Sequence, residues 1–289
     1  MLRTMLYLPG NNPNMLTRGH LFGSDGVILD LEDAVAMVEK DSARVLVSRF
    51  LEQGEFGKCE VTVRINGIDT EYWRKDLDAV VRYRRLDGIR APKVDGPETV
   101  KVLDEELSRL EDKYGIEQGH LKLHCLLETA KGIWNAYEIA KSSPRIEAII
   151  PGGEDLRADL KTSRSDDETE LEWARRMIVF AARAAGVEPL DTVFSRVTDD
   201  EGLRKEVEFI KQLGFSGKSI IHPNQIAIIH KVFNPTEKEI ANAQKILAAA
   251  REAAANGQGA VSVDGKMVDM PVVKRAEYVL VRAGLAEVK

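Results

Sequence analysis

Gly26-Val27-Ile28-Leu29-Asp30-Leu31-Glu32-Asp33 is the stretch on which the fold turns. Its first half is a continuous apolar run. A strand with one wet face alternates instead, so this run reads as a parallel strand covered on both faces. Its second half turns at once to carboxylates. The same grammar recurs along the chain, with strands expected at Thr4–Leu8, Gly26–Leu29, Glu60–Ile65, Gly88–Ala91, Lys122–Leu127, Ala148–Pro151, Asp191–Phe194 and Lys218–Ile221. Longer amphipathic stretches separate them. Val100, Leu103, Leu107 and Leu110 recur at helical spacing, with Pro97 suited to a first turn and Gly115 to a stop. Leu171, Ala174, Met177, Ile178 and Ala181 form another stripe, ended by Gly186. Strand then helix suits a doubly wound sheet or a barrel. About eight repeats in 289 residues favour an α/β fold of the (β/α)8 TIM barrel type.

The barrel is expected to span residues 1–235, and a C-terminal helix and arm residues 236–289, packing on the barrel or on a neighbouring subunit. Thr236 and Glu239 have capping-box spacing at the start of a helix whose apolar face is Ile240, Ala243, Leu247 and Ala250. Asp264-Gly265, between two alternating runs, predicts a hairpin turn.

Composition excludes several classes. Hydrophobic residues make up 44% and charged residues 30%, ordinary for a globular protein. A net charge of −6 gives no reason to expect nucleic acid or an anionic membrane as partner. No apolar run approaches a membrane span, and the N-terminal apolar stretch is broken by Pro9-Gly10 before it resembles a secretory signal. Cytoplasmic residence is the expectation that remains. Cys59 and Cys125 sit in apolar surroundings and read as reduced core residues. Gly214-Phe215-Ser216-Gly217-Lys218-Ser219 resembles a phosphate loop, but Gln212 stands where the pattern needs glycine and Lys218-Ser219 enters an apolar run.

A parallel barrel carries its chemistry at the C-terminal ends of its strands. The residues expected there are Asp30, Glu32 and Asp33, then Arg64, Lys93, Glu128, and Gly153-Glu154-Asp155. A carboxylate-rich rim with one or two cations suits a hard divalent ion such as Mg²⁺, and the near absence of histidine and cysteine argues against zinc or copper. Simpler readings stand beside this one. Asp33 and Asp155 are open to a helix-capping role, Arg64 to a purely structural ion pair, and His222-Pro223 to shaping a turn.

Taken in order, Leu8-Pro9-Gly10-Asn11, Val27 through Val35, Arg64-Ile65-Asn66, Pro92-Lys93, Leu127-Glu128-Thr129-Ala130, Gly153-Glu154-Asp155-Leu156, Gly214 through Lys218 and Asp264 through Asp269 resemble the acyl-thioester lyase family around the citrate lyase beta subunit, which includes malyl-CoA and citramalyl-CoA lyases. The resemblance runs nearly end to end. It implies Mg²⁺ held by Glu128 and Asp155, and substrate contacts from Arg64, Glu128 and the backbone at Gly153 and Glu154. Asp30 and Glu32, with Asp33 beside them, would hold metal-bound water and orient Arg64. Asp269, Arg64 and Asp30 are the catalytic candidates, Asp269 being the acid/base that some relatives supply from the C-terminal arm of an adjacent subunit. The implied reaction is cleavage of a citryl thioester, carried by an acyl carrier protein, to oxaloacetate and acetyl thioester. The implied partners are that carrier (gamma) subunit, an alpha subunit, and further copies in a homotrimer or a multiple of one.

Lys161 through Leu171 resembles the corresponding loop of citrate lyase beta subunits and favours the carrier-protein substrate. His222-Pro223 replaces an Asn-Pro associated with many of those subunits, and keeps open a free-standing lyase for citramalyl-CoA or malyl-CoA. A non-catalytic binder would have lost a metal ligand or Asp269, and neither is lost. An aldolase for free hydroxy-keto acids would lack the Met267-Val268-Asp269 arm.

Overall fold

The computed structural model describes residues 2–286, so the last three residues of the expected arm lie outside the described residues. Eight parallel strands close into a barrel in sequence order, β1 returning to pair with β8. They are β1 (Thr4–Pro9), β2 (Gly26–Asp30), β3 (Glu60–Arg64), β4 (Gly88–Ala91), β5 (Lys122–Leu127), β6 (Ile146–Pro151), β7 (Glu188–Asp191) and β8 (Gly217–Ile220). Around them run α1 (Pro13–Arg18), α2 (Lys40–Gln53), α3 (Trp73–Val80), α4 (Pro97–Tyr114), α5 (Ala130–Trp134), α6 (Ala136–Ala140), α7 (Gly153–Asp159), α8 (Thr169–Ala185), α9 (Asp200–Leu213) and α10 (Gln225–Phe233).

The stripe of α4 is fully buried, Pro97 opens that helix, and Gly115 closes it at φ 64°. Thr129 caps α5 by accepting the Gly132 N–H. Trp134 at the end of α5 stacks on Trp173 of α8, the ring centroids 6.0 Å apart, and both indoles stay exposed. Inside the barrel, Met5, Ile28, Leu126, Ala148, Ile150 and Leu190 form an apolar cluster. Arg90 crosses the same interior from β4 to β8, where its Nη1 donates to Ser219 Oγ at 2.7 Å.

Two local departures from the pattern stand out. The seventh strand lies at Glu188–Asp191, upstream of the expected Asp191–Phe194. Pro189 disguises it, because proline lacks a ladder donor. The strand tolerates it by being short, and Pro189 O still accepts the Ser216 N–H at 3.0 Å. The second is a register shift between Leu123 and His124 where β5 meets β6, which leaves Glu147 as an extra residue in β6.

Lys218 lies in β8 with no exposed surface, bonded to Asp191, Glu206 and the Thr192 carbonyl. Arg175 joins the same carboxylates and adds Glu168. This lysine is a buried ion-pair partner in a strand, as the rejection of a phosphate loop required. Cys59 and Cys125 are free and buried.

Residues Leu2–His230 form one compact unit and the described residues from Lys231 onward another. The second unit holds α11 (Glu237–Ala255), the strands β9 (Val261–Val263) and β10 (Lys266–Val268), and α12 (Met270–Arg282). Thr236 and Glu239 make the complete capping box. Ala243, Ala276 and Leu280 form the core between α11 and α12, flanked by Ile240 and Leu247. β9 and β10 pair antiparallel across Asp264 (φ 51°) and Gly265 (φ 75°), the two positive-φ positions of a tight hairpin. Among the described residues no helix is long and apolar enough to cross a membrane.

Candidate active site

Asp30, Arg64 and Glu128 stand at or just past the ends of β2, β3 and β5 because each apolar run stops there and a polar residue follows. Asp30 is 1% exposed, and both its oxygens are engaged. Arg64 Nε and Nη2 donate to them at 2.7 and 2.6 Å, a two-pronged pair, and the N–H groups of Glu32 and Ala34 donate at 3.0 and 3.3 Å. Arg64 Nη1 also lies 2.8 Å from Glu32 Oε2 and 3.5 Å from Asp33 Oδ2. Its guanidinium sits over the Tyr7 ring, 4.9 Å from the centroid. Burial opposes the charge on Arg64, but Tyr7, Asp30 and Glu32 outweigh it and hold the guanidinium ionised.

Glu128 follows β5 and is buried. One of its oxygens accepts the Lys93 N–H at 2.9 Å. Lys93 adopts φ 53° to point that donor inward, a strained backbone of the kind that gathers at functional sites. Burial, and then the negative charge of Asp155, push the Glu128 carboxyl up to about 7. Glu32 is pushed up to about 8, by burial first; Arg64 opposes this, while Asp33, Glu128 and Asp30 add to it. Among the described residues no lysine or arginine side chain pairs with Glu128 or Asp155. Two carboxylates that repel each other, with Arg64 and Lys93 acting on them only from beyond ion-pair distance, are a fitting donor set for a divalent ion with oxygen ligands.

Asp155 is exposed, in the first turn of α7, and Gly152 occupies the cap position ahead of it. Asp155 is therefore not the cap that simpler reading allowed, and neither is Asp33, which lies in a turn ahead of Met37. Gly153 N–H donates to Thr192 Oγ1 at 3.1 Å. The Glu154 side chain turns to Arg157 and Arg164.

Asp30, Asp33, Arg64, Glu128, Gly153, Glu154 and Asp155 all line one cavity of about 430 Å³, within the usual range for a small-molecule site. Glu32 lies beside it through Arg64. Glu128 and Asp155 also border an adjoining space of about 270 Å³ with Lys93 and Asp69. Asp269 belongs to the C-terminal unit, where its carboxylate caps α12 by accepting the Val272 N–H at 3.3 Å. His222 shapes a turn, its Nδ1 accepting the Asn224 N–H.

Reasoning from sequence missed three supports. Tyr7 lines the cavity floor and was hidden in an apolar strand. Lys40, buried at the start of α2, donates to the carbonyls of Leu31 and Glu32 at 2.7 and 2.6 Å and fixes the carboxylate loop. Thr192 follows a strand whose position the sequence disguised. Only the rule that polar residues just past a strand face the site could have found it, given the right strand.

A profile of the HpcH/HpaI aldolase/citrate lyase family matches residues 3–223. The chain belongs to this family. It is 45% identical to the citrate lyase subunit beta of Leuconostoc mesenteroides subsp. cremoris, over 96% of this chain and 92% of that protein. It is 33% identical to the mitochondrial citramalyl-CoA lyase of Rattus norvegicus, over 97% of this chain and 86% of that one. Among solved structures, the Mycobacterium tuberculosis protein CitE, in complex with magnesium, acetoacetate and coenzyme A, superposes with a TM-score of 0.79 at 32% identity, covering 98% of each chain. As a member of the HpcH/HpaI aldolase/citrate lyase family with these relatives, the protein is a carbon–carbon lyase.

Proposed function

We propose that this lyase cleaves a citryl thioester to oxaloacetate and an acetyl thioester, with Mg²⁺ held by Glu128 and Asp155. The observation that carries the reading is the buried Glu128 carboxylate beside Asp155, neither in an ion pair with a lysine or arginine among the described residues, on the same cavity as a locked Arg64. The magnesium in the CitE complex and the names of the beta-subunit relatives support it. When bound, Mg²⁺ would supply Lewis acidity that makes the substrate hydroxyl easier to deprotonate.

The chain's own residues do the rest. Arg64 grips the carboxylate of the oxaloacetate half and offsets the charge that gathers on oxygen. Asp30 orients Arg64. With both its oxygens already accepting, it is the poorer proton acceptor, so the acid/base role falls to Asp269, delivered from the arm of an adjacent copy. The hydroxyl gives up its proton to the acid/base carboxylate, the carbon–carbon bond breaks as the keto group forms, and the electron pair leaves as a thioester enolate. A proton from the acid/base carboxylate at carbon completes the acetyl thioester. The N–H groups of the first turn of α7 face the carboxylate end of the substrate. An acyl carrier protein, an alpha subunit and a trimeric assembly, in the cytoplasm, complete the reading.

The test is turnover of citryl thioesters by the purified chain, on carrier protein and on coenzyme A, with Mg²⁺ and with chelator. Carrier-bound citryl should turn over fastest, and chelation should abolish it. Rapid cleavage of citramalyl-CoA without any carrier would instead assign the CoA-dependent chemistry of the citramalyl-CoA lyase relative. Asp269→Ala should lower kcat by ~10²-fold or more while oxaloacetate affinity holds; equal losses in both would leave Asp269 only its capping role.

A further inference from the structure

At the opposite end of the barrel from this cavity lies a second set of ligating groups. Glu60 opens β3, His124 lies low in β5, and Glu147 is the extra residue that the register shift inserts into β6. A bulge of this kind re-aims a side chain, and here it turns Glu147 toward His124. One ligand atom from each residue lies within 4.8 Å of the others. His124 Nε2 is 3.2 Å from Glu147 Oε2 and 3.5 Å from Glu60 Oε1.

Two further observations mark this as more than a charge cluster. His124 is 0% exposed, yet its ring has no hydrogen-bond partner outside the cluster, and Nδ1 has none at all. Glu60 Oε1 is also buried without a hydrogen bond. Buried polar atoms are ordinarily satisfied, and inside the cluster it is Glu60 Oε1, 3.5 Å from His124 Nε2, that lacks a hydrogen bond and asks for a ligand there. Among the described residues no lysine or arginine side chain pairs with either carboxylate. Arg90 on the neighbouring strand forms no ion pair with either carboxylate, although its charge acts on Glu60 and His124, and its Nη1 donates to Ser219 Oγ.

We propose that Glu60, His124 and Glu147 form a second cation site, taking a borderline divalent ion of the Zn²⁺ or Mn²⁺ class. One imidazole nitrogen and two carboxylates suit such ions, whereas Mg²⁺ prefers oxygen alone. The partly exposed Glu147 leaves a side open for water to complete the coordination. Lying at the N-terminal ends of the strands, the ion is structural: it ties β3, β5 and β6 together, remote from the chemistry.

Titration calorimetry of Zn²⁺ into the full chain, in saturating Mg²⁺, tests the site independently of any activity. The expected result is one Zn²⁺ per chain, weakened at least ~100-fold in both His124→Gln and Glu147→Gln and unchanged in Asp155→Asn. Glu147 is partly exposed, so Glu147→Gln keeps the fold should the buried His124 variant not. Zn²⁺ should raise the melting midpoint of the wild type and leave that of Glu147→Gln unmoved. Absence of binding, binding that Glu147→Gln leaves intact, or binding lost with Asp155→Asn would each overturn the proposal.

Discussion

Gly152 lacks a side chain because Glu128 fills the space one would need: a Cβ there would lie 2.2 Å from Glu128 Cγ. Gly152→Ala should therefore displace the carboxylate and cut turnover by ~10²-fold, the usual effect of an ångström-scale misplacement, with the circular dichroism spectrum unchanged. Asp155→Asn removes charge without changing shape. It should abolish metal-dependent turnover and leave the melting midpoint within a few degrees of wild type; retained turnover would strike Asp155 from the ligands. At this scale the sequence was most readable where chemistry and position coincide. Asp30, Arg64 and Glu128 end or directly follow a strand, Asp155 comes four residues after one, and the barrel puts all four on one cavity. Tyr7 and Lys40 were illegible for the opposite reason. An aromatic in a strand looks like core and a lysine beginning a helix looks like surface, and only the fold shows Lys40 buried against the carbonyls it holds.

Elements were legible to the extent that local signals agreed. The hairpin of β9 and β10 follows from Asp264-Gly265, and α11 from the spacing of Thr236 and Glu239. Thr236→Ala removes the hydroxyl that accepts the Glu239 N–H at 3.2 Å, and should cost about 1 kcal/mol in the urea unfolding of the helical C-terminal unit. β7 was misplaced because its one proline outweighed its short apolar content. The bulge at Glu147 left no trace at all, since an extra residue in a strand is visible only against the partner it fails to match.

For the whole molecule, charge sets the dependence on acid. Asp25 is partly buried, which pushes its carboxyl up, but His230 and Arg3 outweigh that and hold it well below the usual carboxylate range. Arg3 binds it through Nε at 2.9 Å and Nη2 at 2.5 Å. A depressed folded pKa means that the unfolded chain takes up the proton first. The stability from Asp25 is thus present above pH ~4 and lost as pH falls below it. Asp25→Asn should lower the urea midpoint at pH 7 and flatten its fall between about pH 4 and 2; a wild-type slope in the variant would remove Asp25 from the cause. The barrel itself was legible from its repeat. The buried network of Lys218, Asp191, Glu206 and Arg175 was not, because its members are far apart in sequence and each alone passes for a surface charge. Two of the chain's three tryptophans are Trp134 and Trp173, stacked at 27°. Trp134 closes the short helix that begins just past Glu128, so the molecule carries its own optical gauge: any ligand that tugs on this helix alters the coupling between the indoles, and near-ultraviolet dichroism reads occupancy of the mouth with no dye and no substrate turnover.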